Sequence, residues 1–343
     1  MRRNGFYPDK EGVGYITLSG FTVTMAATQW APPTAYQEGM IGPHWSKGWI
    51  IENCEVSHSK CSGISLGKYR QPNNDNKWLT WKFKDGTQTE RDCICQAQWE
   101  GWTKENIGSH TIRRCNIHHC GQTGIVGHLG GVFSVIEDNH IHHINNKQDL
   151  AGAEIGGIKM HAAIDVIIRR NHFHHCTRGL WLDWQAQGTR VTQNLFHDNV
   201  PPKGTQIANT LALAEDIIEV SHGPTLIDNN LLLSASSCRI STQGIALVHN
   251  LIAGSFTWVG AGTDNGGRVL PTPRYTPYHV PHRTEVAGFM TILHGDARFY
   301  NNIFVQKEIR QDLVDYARSQ DCQKEYNFVC GTKPYDGYPS PEE

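Results

Sequence analysis

The sequence has no long run of apolar residues, and its longest apolar stretches have the length of short β-strands. A helix that crosses a bilayer needs about 20 consecutive apolar residues, so we expect no transmembrane segment and no membrane partner. Behind the basic residues Arg2 and Arg3 there is no apolar segment of the kind that a secretory signal contains. These two absences favour a cytoplasmic protein.

An excess of charge of one sign is also missing. The 343 residues carry a formal net charge of -2 at pH 7, which argues against nucleic acid as a partner. The ten cysteines include no pairs with the spacing of a zinc site, because Cys93 and Cys95 are separated by a single residue. We therefore expect reduced, mostly buried thiols and no metal or organic cofactor. The alternative is a secreted, disulfide-bonded protein.

Histidine, in contrast, is abundant: the chain contains 19, and residues 140–143 and 172–175 each include three of them. Such clusters resemble metal-binding tracts. Both clusters fall inside a repeated pattern, however. We therefore interpret these histidines as surface positions of a repeated structure and not as metal ligands.

A six-residue pattern recurs along the chain: an apolar residue, two polar residues, Asn or Cys, any residue, and a second apolar residue. The fourth position is occupied in turn by Cys54, Cys115, Asn139, Asn171, Asn194, Asn229, Asn250 and Asn302. The shortest separations between copies are 21–24 residues. Short β segments with such a period are typical of a solenoid, in which stacked Asn amides can bond coil to coil. The pattern predicts an all-β fold, the right-handed parallel β-helix.

The longer separations between copies predict loop insertions in this solenoid. We expect a β-helix core over residues 1–310 and a C-terminal extension over 311–343. Insertions are expected near 70–108, 144–153, 200–215 and 259–290. Insertions of a solenoid map to loops, often on the binding face. The first insertion is rich in Trp, and either forms a lid over a site or packs its own indoles.

A second short strand, which begins with Gly, follows several copies of the pattern. In the copy at residues 179–183, alternation would direct the two leucines inward. Trp181 and Asp183 would then share one exposed outward ledge, where an indole can stack on a sugar ring. The alternative is that Trp181 only covers the neighbouring coil. The position of Asp183 is occupied by His128 and His161 in two earlier strands, so these three residues are expected to form a ladder.

Glu219 follows in the next coil, near the register of Asp183. Neighbouring strands lie about 4.7–4.9 Å apart, so outward carboxylates on adjacent coils would be roughly 5 Å apart. That separation is typical of a retaining glycosidase, whereas an inverting enzyme needs about 6.5–9.5 Å. Glu154 is expected at the rim of the same face. A single outward acid is usually only solvated, but two stacked acids repel each other and favour a functional site.

Three longer stretches, residues 151–171, 178–190 and 219–230, together resemble glycoside hydrolase family 120. Members of this family are β-xylosidases with a right-handed parallel β-helix and an added β-sandwich. The resemblance runs from about residue 14 to about residue 305. It includes the further stretches 26–34, 42–49 and 276–285. The chain departs from the family in its long insertions, and we expect the family's first coils and most of its β-sandwich to be absent.

The resemblance implies roles for individual residues of this chain. Asp183 is expected to be the nucleophile and Glu219 the general acid/base. Glu154 is expected to bind substrate or to assist proton transfer, and Trp30 to lie at the sugar subsite. The other residues expected to bind substrate are Lys159, His161 and His222 from the resemblance, with His128 and Trp181 from the strand pattern.

These expectations define a retaining, exo-acting glycoside hydrolase that releases xylose from the non-reducing end of β-1,4-xylo-oligosaccharides. It would need no cofactor, and a homo-oligomer is compatible with the sequence. One alternative is a polysaccharide lyase of the pectate-lyase type on the same fold, with Lys159 or Arg190 as the base. The others are a non-catalytic carbohydrate-binding β-helix and an inactive remnant of the enzyme.

Overall fold

The computed structural model describes residues 2–30, 36–69, 86–150, 154–204, 217–258, 275–292 and 295–305, with residues 307, 308, 310–312, 314 and 315. Most of these residues form a parallel β-helix. Each coil passes through three sheets in turn, and strands from successive coils pair in parallel. This confirms the predicted solenoid of β-strands.

Within the described residues, the three sheets contain nine, nine and eight strands. The first sheet consists of β1 (Thr17–Ser19), β4 (Ile50–Glu52), β7 (Thr111–Arg113), β10 (Val135–Glu137), β13 (Ile167–Arg169), β16 (Thr189–Thr192), β19 (Thr225–Asp228), β22 (Ile245–Val248) and β27 (Ala297–Tyr300). The second sheet consists of β2 (Thr22–Thr24), β5 (Glu55–Ser57), β8 (Asn116–His118), β11 (His140–His142), β14 (His172–His174), β17 (Leu195–His197), β20 (Leu231–Leu232), β23 (Leu251–Ala253) and β28 (Ile303–Val305). The third sheet consists of β3 (Gly39–Ile41), β6 (Ser62–Lys68), β9 (Thr123–His128), β12 (Gly156–His161), β15 (Leu180–Leu182), β18 (Ile217–Glu219), β21 (Ser236–Ser241) and β24 (Ser255–Trp258).

In the first and second sheets, the interior of the β-helix is filled by one apolar residue from each short strand. Successive side chains of a strand point to opposite faces, so the three-residue strands of these two sheets turn their middle residue inward, whereas β15 of the third sheet turns Leu180 and Leu182 inward. In the second sheet these middle residues include Ile117, Ile141 and Phe173, which pair with one another across adjacent coils and are fully buried. The repeated apolar positions of the sequence are therefore the stacked core.

The corner between the first and second sheets is made by single residues in the left-handed region. A positive φ is uncommon for residues other than Gly, and here it turns the chain from one sheet into the next. The corner residues are Asn53, Arg114, Asp138, Arg170, Gln193, Asn229, His249 and Asn301. This regular corner sets the register of the polar residue that comes next.

Behind the corner runs a continuous ladder of Asn side chains, which are buried except for the half-buried Asn302 at its end. The Nδ2 of each Asn except the last donates to the Oδ1 of the Asn one coil later, at 2.9–3.0 Å. The ladder consists of Asn139, Asn171, Asn194, Asn230, Asn250 and Asn302. Cys115 and Cys54 take the equivalent positions in earlier coils and are buried. The predicted amide ladder is therefore confirmed.

One position of the ladder was predicted wrongly. The pattern assigned Asn229 to the fourth position, but the structure places the buried Asn230 there and leaves Asn229 exposed at the corner. The pairing of Ile227 with Val191 fixes this register. The sequence was ambiguous here because two Asn residues are adjacent and apolar residues fit both registers.

A helix and a hairpin lie outside the three sheets. Helix α1 (Gly86–Trp99), which the sequence did not predict, occupies the insertion near 70–108. After it, Trp102 is buried and its Nε1 donates at 3.0 Å to the carbonyl of Leu129, directly after β9. The hairpin consists of the antiparallel strands β25 (Tyr275–His279) and β26 (Val286–Thr291). Between these strands, the hydroxyl of Thr284 donates to the Trp102 carbonyl at 2.6 Å. Both elements therefore pack near the carboxyl ends of the third-sheet strands.

Parts of the predicted insertions lie outside the described residues. These parts are residues 70–85, 151–153, 205–216 and 259–274, together with most of the predicted extension over 311–343. The division at residue 310 stays a prediction. Among the described residues, no helix has both the length and the apolar character that are needed to span a membrane.

Candidate active site

Four neighbouring strands of the third sheet, β9, β12, β15 and β18, bring the predicted site residues onto adjacent coils. His128 pairs with His161 across β9 and β12. Leu182 pairs with Ile218 across β15 and β18, and the next residues along the chain are Asp183 and Glu219. The two acids therefore occupy matching positions one coil apart, in the register that the sequence predicted.

With Asn230 instead of Asn229 in the ladder, the register of Asp183 and Glu219 is more regular than the sequence predicted. With Ile227 as the repeat position, eight residues separate Glu219 from the repeat, as eight separate Asp183 from Val191. The two coils thus have the same length between acid and repeat. The insertion in this part of the chain precedes Glu219 and does not shift it.

A fully buried lysine, Lys159, contacts two of the three predicted acids. Its Nζ lies 2.8 Å from Oδ2 of Asp183 and 3.2 Å from Oε1 of Glu154. The same nitrogen lies 2.9 Å from Nε2 of His161, which in turn lies 3.1 Å from Oε1 of Glu154. Two carboxylates therefore share one buried ammonium and one imidazole.

Strand alternation explains how this group is assembled. Lys159 and His161 are two residues apart on β12, so their side chains leave the same face of the sheet. Asp183 follows the neighbouring strand. Glu154 comes just before β12 with φ 63°, and Thr123 donates to its carbonyl at 2.6 Å. The turn before β12 thus directs the Glu154 carboxylate back over Lys159 and His161, the outward residues of β12.

The charges of this cluster support one another. Burial opposes the ionisation of Asp183, but Lys159 and His161 outweigh it and hold the pKa of the carboxyl below its usual value. Burial likewise opposes the charge of Lys159, whose pKa is nevertheless raised by Asp183 and Glu154. The pKa of His161 is also raised, because these carboxylates outweigh burial and the nearby ammonium. At neutral pH Asp183 is therefore ionised beside a charged lysine.

Glu219 lies in different electrostatic surroundings from Asp183. It is 7% exposed, and its Oε2 lies 3.4 Å from Nη1 of the buried Arg239 on β21. Asp183 is in direct contact with Lys159, at 2.8 Å. The two acids at matching positions thus face different cations, Lys159 beside Asp183 and Arg239 beside Glu219.

Trp181 does not lie on an exposed ledge as the sequence predicted. The indole is 4% exposed and Asp183 is 7% exposed. The Nζ of Lys159 and the guanidinium carbon of Arg178 each lie 4.2 Å from the centre of the indole ring. Cations are attracted to the face of an indole, so the Trp181 ring stabilises the charges of Lys159 and Arg178. The predicted exposure of Trp181 was wrong because strand alternation does not show that this part of the sheet is covered.

His222 and Trp30 occupy contrasting positions. His222 comes three residues after Glu219, and its Nε2 lies 2.8 Å from Oγ1 of Thr276 on β25. It therefore ties the site to the hairpin, and burial lowers its pKa. Trp30 is 38% exposed, and no hydrogen bond, ion pair or ring contact among the described residues joins it to the cluster.

The sequence analysis missed a fourth acid at the site. Glu90 on helix α1 is 2% exposed, and its Oε1 lies 2.5 Å from Nε2 of His128 and 3.7 Å from Nδ1 of His161. His161 thus lies between Glu90 on one side and Glu154 on the other. No spacing in the sequence singles out this glutamate, because it comes from an inserted helix that has no counterpart in the repeat.

The cations proposed for a lyase are not available as bases. Lys159 is engaged with Asp183 and Glu154. Arg190 lies on β16 of the first sheet, where two of its guanidinium nitrogens donate to Asp228 at 2.9 and 2.7 Å. Arg190 is therefore on a different sheet from the acids, and the lyase alternative has no support in the geometry.

Two groups of side chains at the site have the composition of metal ligands. Their ligand atoms lie within 4.8 Å of one another, and the groups are Glu154, His161 and Asp183, and Glu90, His128 and His161. In the first group, the ammonium of Lys159 already lies close to both carboxylates. A lysine in that place supplies the positive charge that a metal ion would bring, so we interpret the first group as an ion-paired cluster.

Comparison with known proteins supports this architecture. The chain matches the family described as right handed beta helix region over residues 44–252, which is more than half of its length. The chain therefore belongs to this family, and the predicted right-handed fold is confirmed. A comparison with curated proteins found no match.

A solved structure, the complex of XylC with xylose, is similar to this chain. The two sequences are 49% identical over 90% of this chain, and the TM-score is 0.80. The match covers 44% of the XylC chain, so this chain spans less than half the length of XylC.

Proposed function

We propose that this chain is a glycoside hydrolase that releases xylose from the non-reducing end of β-1,4-xylo-oligosaccharides with retention of configuration. The observation that carries the proposal is the position of Asp183 and Glu219 on adjacent coils, with Lys159 beside Asp183. Strands of a sheet lie about 4.7–4.9 Å apart, close to the separation of the two carboxyl groups in retaining enzymes. XylC, which is 49% identical, has a solved structure that contains xylose.

In the first step Asp183 acts as the nucleophile. One of its oxygens forms a bond to the anomeric carbon, and the bond from that carbon to the glycosidic oxygen breaks. Glu219 gives a proton to the departing oxygen. Asp183 is prepared for this role because its Oδ2 contacts Lys159 and its Oδ1 accepts the N–H of Trp184 at 2.8 Å. These contacts orient the carboxylate and keep it ionised.

In the second step water replaces the enzyme on the sugar. Glu219 now removes a proton from water, the water oxygen bonds to the anomeric carbon, and Asp183 leaves as a carboxylate. Lys159 and His161 stabilise the negative charge that returns to Asp183. Both displacements invert the anomeric centre, so the product has the configuration of the substrate.

Enclosure of the site supports action at chain ends. Asp183 and Glu219 are each 7% exposed, although they lie on the outer side of the β-helix. Helix α1 and the hairpin β25–β26 contact the site through Glu90 and Thr276. Acids that are covered by neighbouring elements are reached more readily by the terminal sugar of a short chain than by the middle of a polymer.

The proposal is tested by hydrolysis of xylobiose, with proton NMR of the first-formed sugar. Release of β-xylose by the purified chain is expected, together with loss of activity in Asp183→Asn. The matched control is Asp198→Asn, which makes the same change at an exposed aspartate that contacts His197 on the second sheet. First-formed α-xylose would contradict retention, and a folded chain that releases no xylose would overturn the proposal.

A further inference from the structure

The second sheet carries rows of histidines on the face turned away from the interior. Its middle residues are buried, so the residues on either side of them face outward. Parallel pairing then aligns the outward residues from coil to coil. One row consists of His118, His142, His174 and His197, and a second row contains His140 and His172.

Ring nitrogens of one row lie close to ring nitrogens of the other row on the neighbouring coil. The Nε2 atoms of His140 and His174 lie 2.7 Å apart, and so do those of His172 and His197. Both partners are imidazoles, so in each contact one ring donates an N–H and the other accepts it with a lone pair. The rings of His140 and His172 also stack, with centroids 4.9 Å apart.

We propose that His140, His172 and His174 form a binding site for one divalent transition-metal ion that prefers imidazole ligands, such as Zn²⁺. One ring nitrogen from each residue can be chosen so that all three lie within 4.8 Å of one another. Nitrogens bound to tetrahedral zinc at about 2.0–2.1 Å are about 3.3 Å apart, so small side-chain rotations are sufficient. The cation takes the place of the proton that His140 and His174 share.

The backbone holds these ligands in place before any ion arrives. The three residues lie on β11 and β14, which pair with each other and with β8 and β17 on their outer sides. Ligands on paired strands lose little freedom when they bind a metal. All three side chains are half-buried, so the ion can reach them and water can complete the coordination.

This site is separate from the candidate active site. The histidine rows belong to the second sheet, whereas Asp183 and Glu219 lie at the carboxyl ends of β15 and β18 in the third sheet. The inference therefore does not depend on the proposed hydrolase function. It reverses the expectation from the sequence that these histidines are surface positions and not metal ligands, because the structure brings three of them together.

The first test is equilibrium dialysis of the purified chain against Zn²⁺ at pH 7.5, where an imidazole with its usual pKa of about 6.5 is mostly neutral. One bound Zn²⁺ per chain is expected. His140→Ala and His174→Ala should each weaken binding by at least about tenfold, because a lost ligand matters more than the lost outer contacts for which 10- to 100-fold effects are typical. His249→Ala is the matched control, since His249 is exposed outside the rows and contacts Asn301.

A second measurement does not depend on the variants. Electron paramagnetic resonance of the unmodified chain loaded with one equivalent of Cu²⁺ should show hyperfine splitting from several imidazole nitrogens, as expected for this ligand set. A spectrum with oxygen ligands alone would overturn the proposal. So would Zn²⁺ binding that persists in both histidine variants, or binding that is lost in His128→Ala but kept in His174→Ala, which assigns the ion to the Glu90 group.

Discussion

Lys159 determines the charge state of the candidate active site. It is fully buried and lies within 3.2 Å of both Asp183 and Glu154. An ammonium can be kept in such a place only by compensating charges, because taking an ion out of water is costly. The lysine is therefore as much a part of the site as the acids, and the family resemblance had singled it out as a residue that binds substrate.

We expect Lys159→Met to raise the pKa of Asp183, because the cation that lowers it is removed. Since Asp183 must be ionised to attack, the acidic limb of kcat/KM for xylobiose should move to higher pH. The uncompensated carboxylates should also reduce the free energy of unfolding by about 3–5 kcal/mol. Rate profiles against pH and urea denaturation measure the two effects. Lys60→Met, at an exposed lysine, is the control, and an unmoved acidic limb would contradict the role of Lys159.

Glu90 is expected to position His128 and His161 for the reaction. Glu90→Ala should reduce kcat for xylobiose about 10- to 100-fold with little change in KM, because small displacements of catalytic groups have effects of this size. Glu90→Gln should restore part of the loss, since its amide oxygen can still accept from His128. Glu105→Ala, at an exposed glutamate after the same helix, should leave kcat unchanged. Equal losses in both alanine variants would rule out a specific role.

At the scale of elements, the Asn ladder is the feature that fixes the register of the coils. Asn230 illustrates how many hydrogen bonds one Asn of the ladder makes. Its Nδ2 donates to Oδ1 of Asn250 and to the Val191 carbonyl, each at 3.0 Å. Its Oδ1 accepts the backbone N–H and the side chain of Asn194, at 2.9 and 3.0 Å. One buried amide thus satisfies groups in three successive coils.

The adjacent residues Asn229 and Asn230 allow a matched test of this ladder. Asn230→Ala should lower the free energy of unfolding by about 3 kcal/mol or more, because it leaves several buried polar groups without partners. Asn229→Ala should cost only about 1–2 kcal/mol, for the left-handed backbone at an exposed corner. Urea denaturation of the two variants compares these values. A larger loss in Asn229→Ala would restore the register that the sequence suggested.

Much of the β-helix was predictable because each coil repeats the same pattern of inward, corner and outward residues. The apolar positions, the Asn positions and the outward alternation all follow from a period that the sequence displays. Helix α1 was not predictable in this way, since an insertion occurs once and provides no repeat for comparison. The same reason explains the error at Asn229, where the local pattern fitted two registers and only the continuous ladder decides between them.

The candidate site was predictable to the extent that it follows the strand pattern. Asp183, His161 and His128 were found by alternation, and Glu219 by its distance from the next repeat. Glu90 and Arg239 were not found, because their positions depend on how a helix and a later coil pack around the acids. The burial of Trp181 was missed for the same reason.

At the scale of the whole molecule, buried histidines make stability depend on pH. Burial lowers the pKa of His110 to about 3 and that of His279 to about 4. In the unfolded chain both regain the usual value of about 6.5. The unfolded state thus binds more protons between these values, so this part of the stability is fully present above about pH 6.5 and is lost as pH falls.

We therefore expect the urea midpoint of the chain to fall when the pH is lowered from 7 to 5. His110→Gln should make the midpoint less dependent on pH, because one of the buried titrating groups is removed while an acceptor for the Trp49 N–H is kept. His249→Gln, at an exposed histidine, should leave the pH dependence as it is in the unmodified chain. A slope that His110→Gln leaves unchanged would show that the loss has another origin.

The rise of one coil also has a stereochemical meaning for the proposed function. Asp183 and Glu219 lie one coil apart, so their separation is set by the strand spacing of about 4.8 Å. Insertion of one whole coil between them would leave the stacking intact and carry the acids to about 9.6 Å, near the upper limit of the 6.5–9.5 Å typical of inverting enzymes. In a solenoid of this kind, a change of one repeat in length could convert one stereochemical outcome into the other without altering a single catalytic residue.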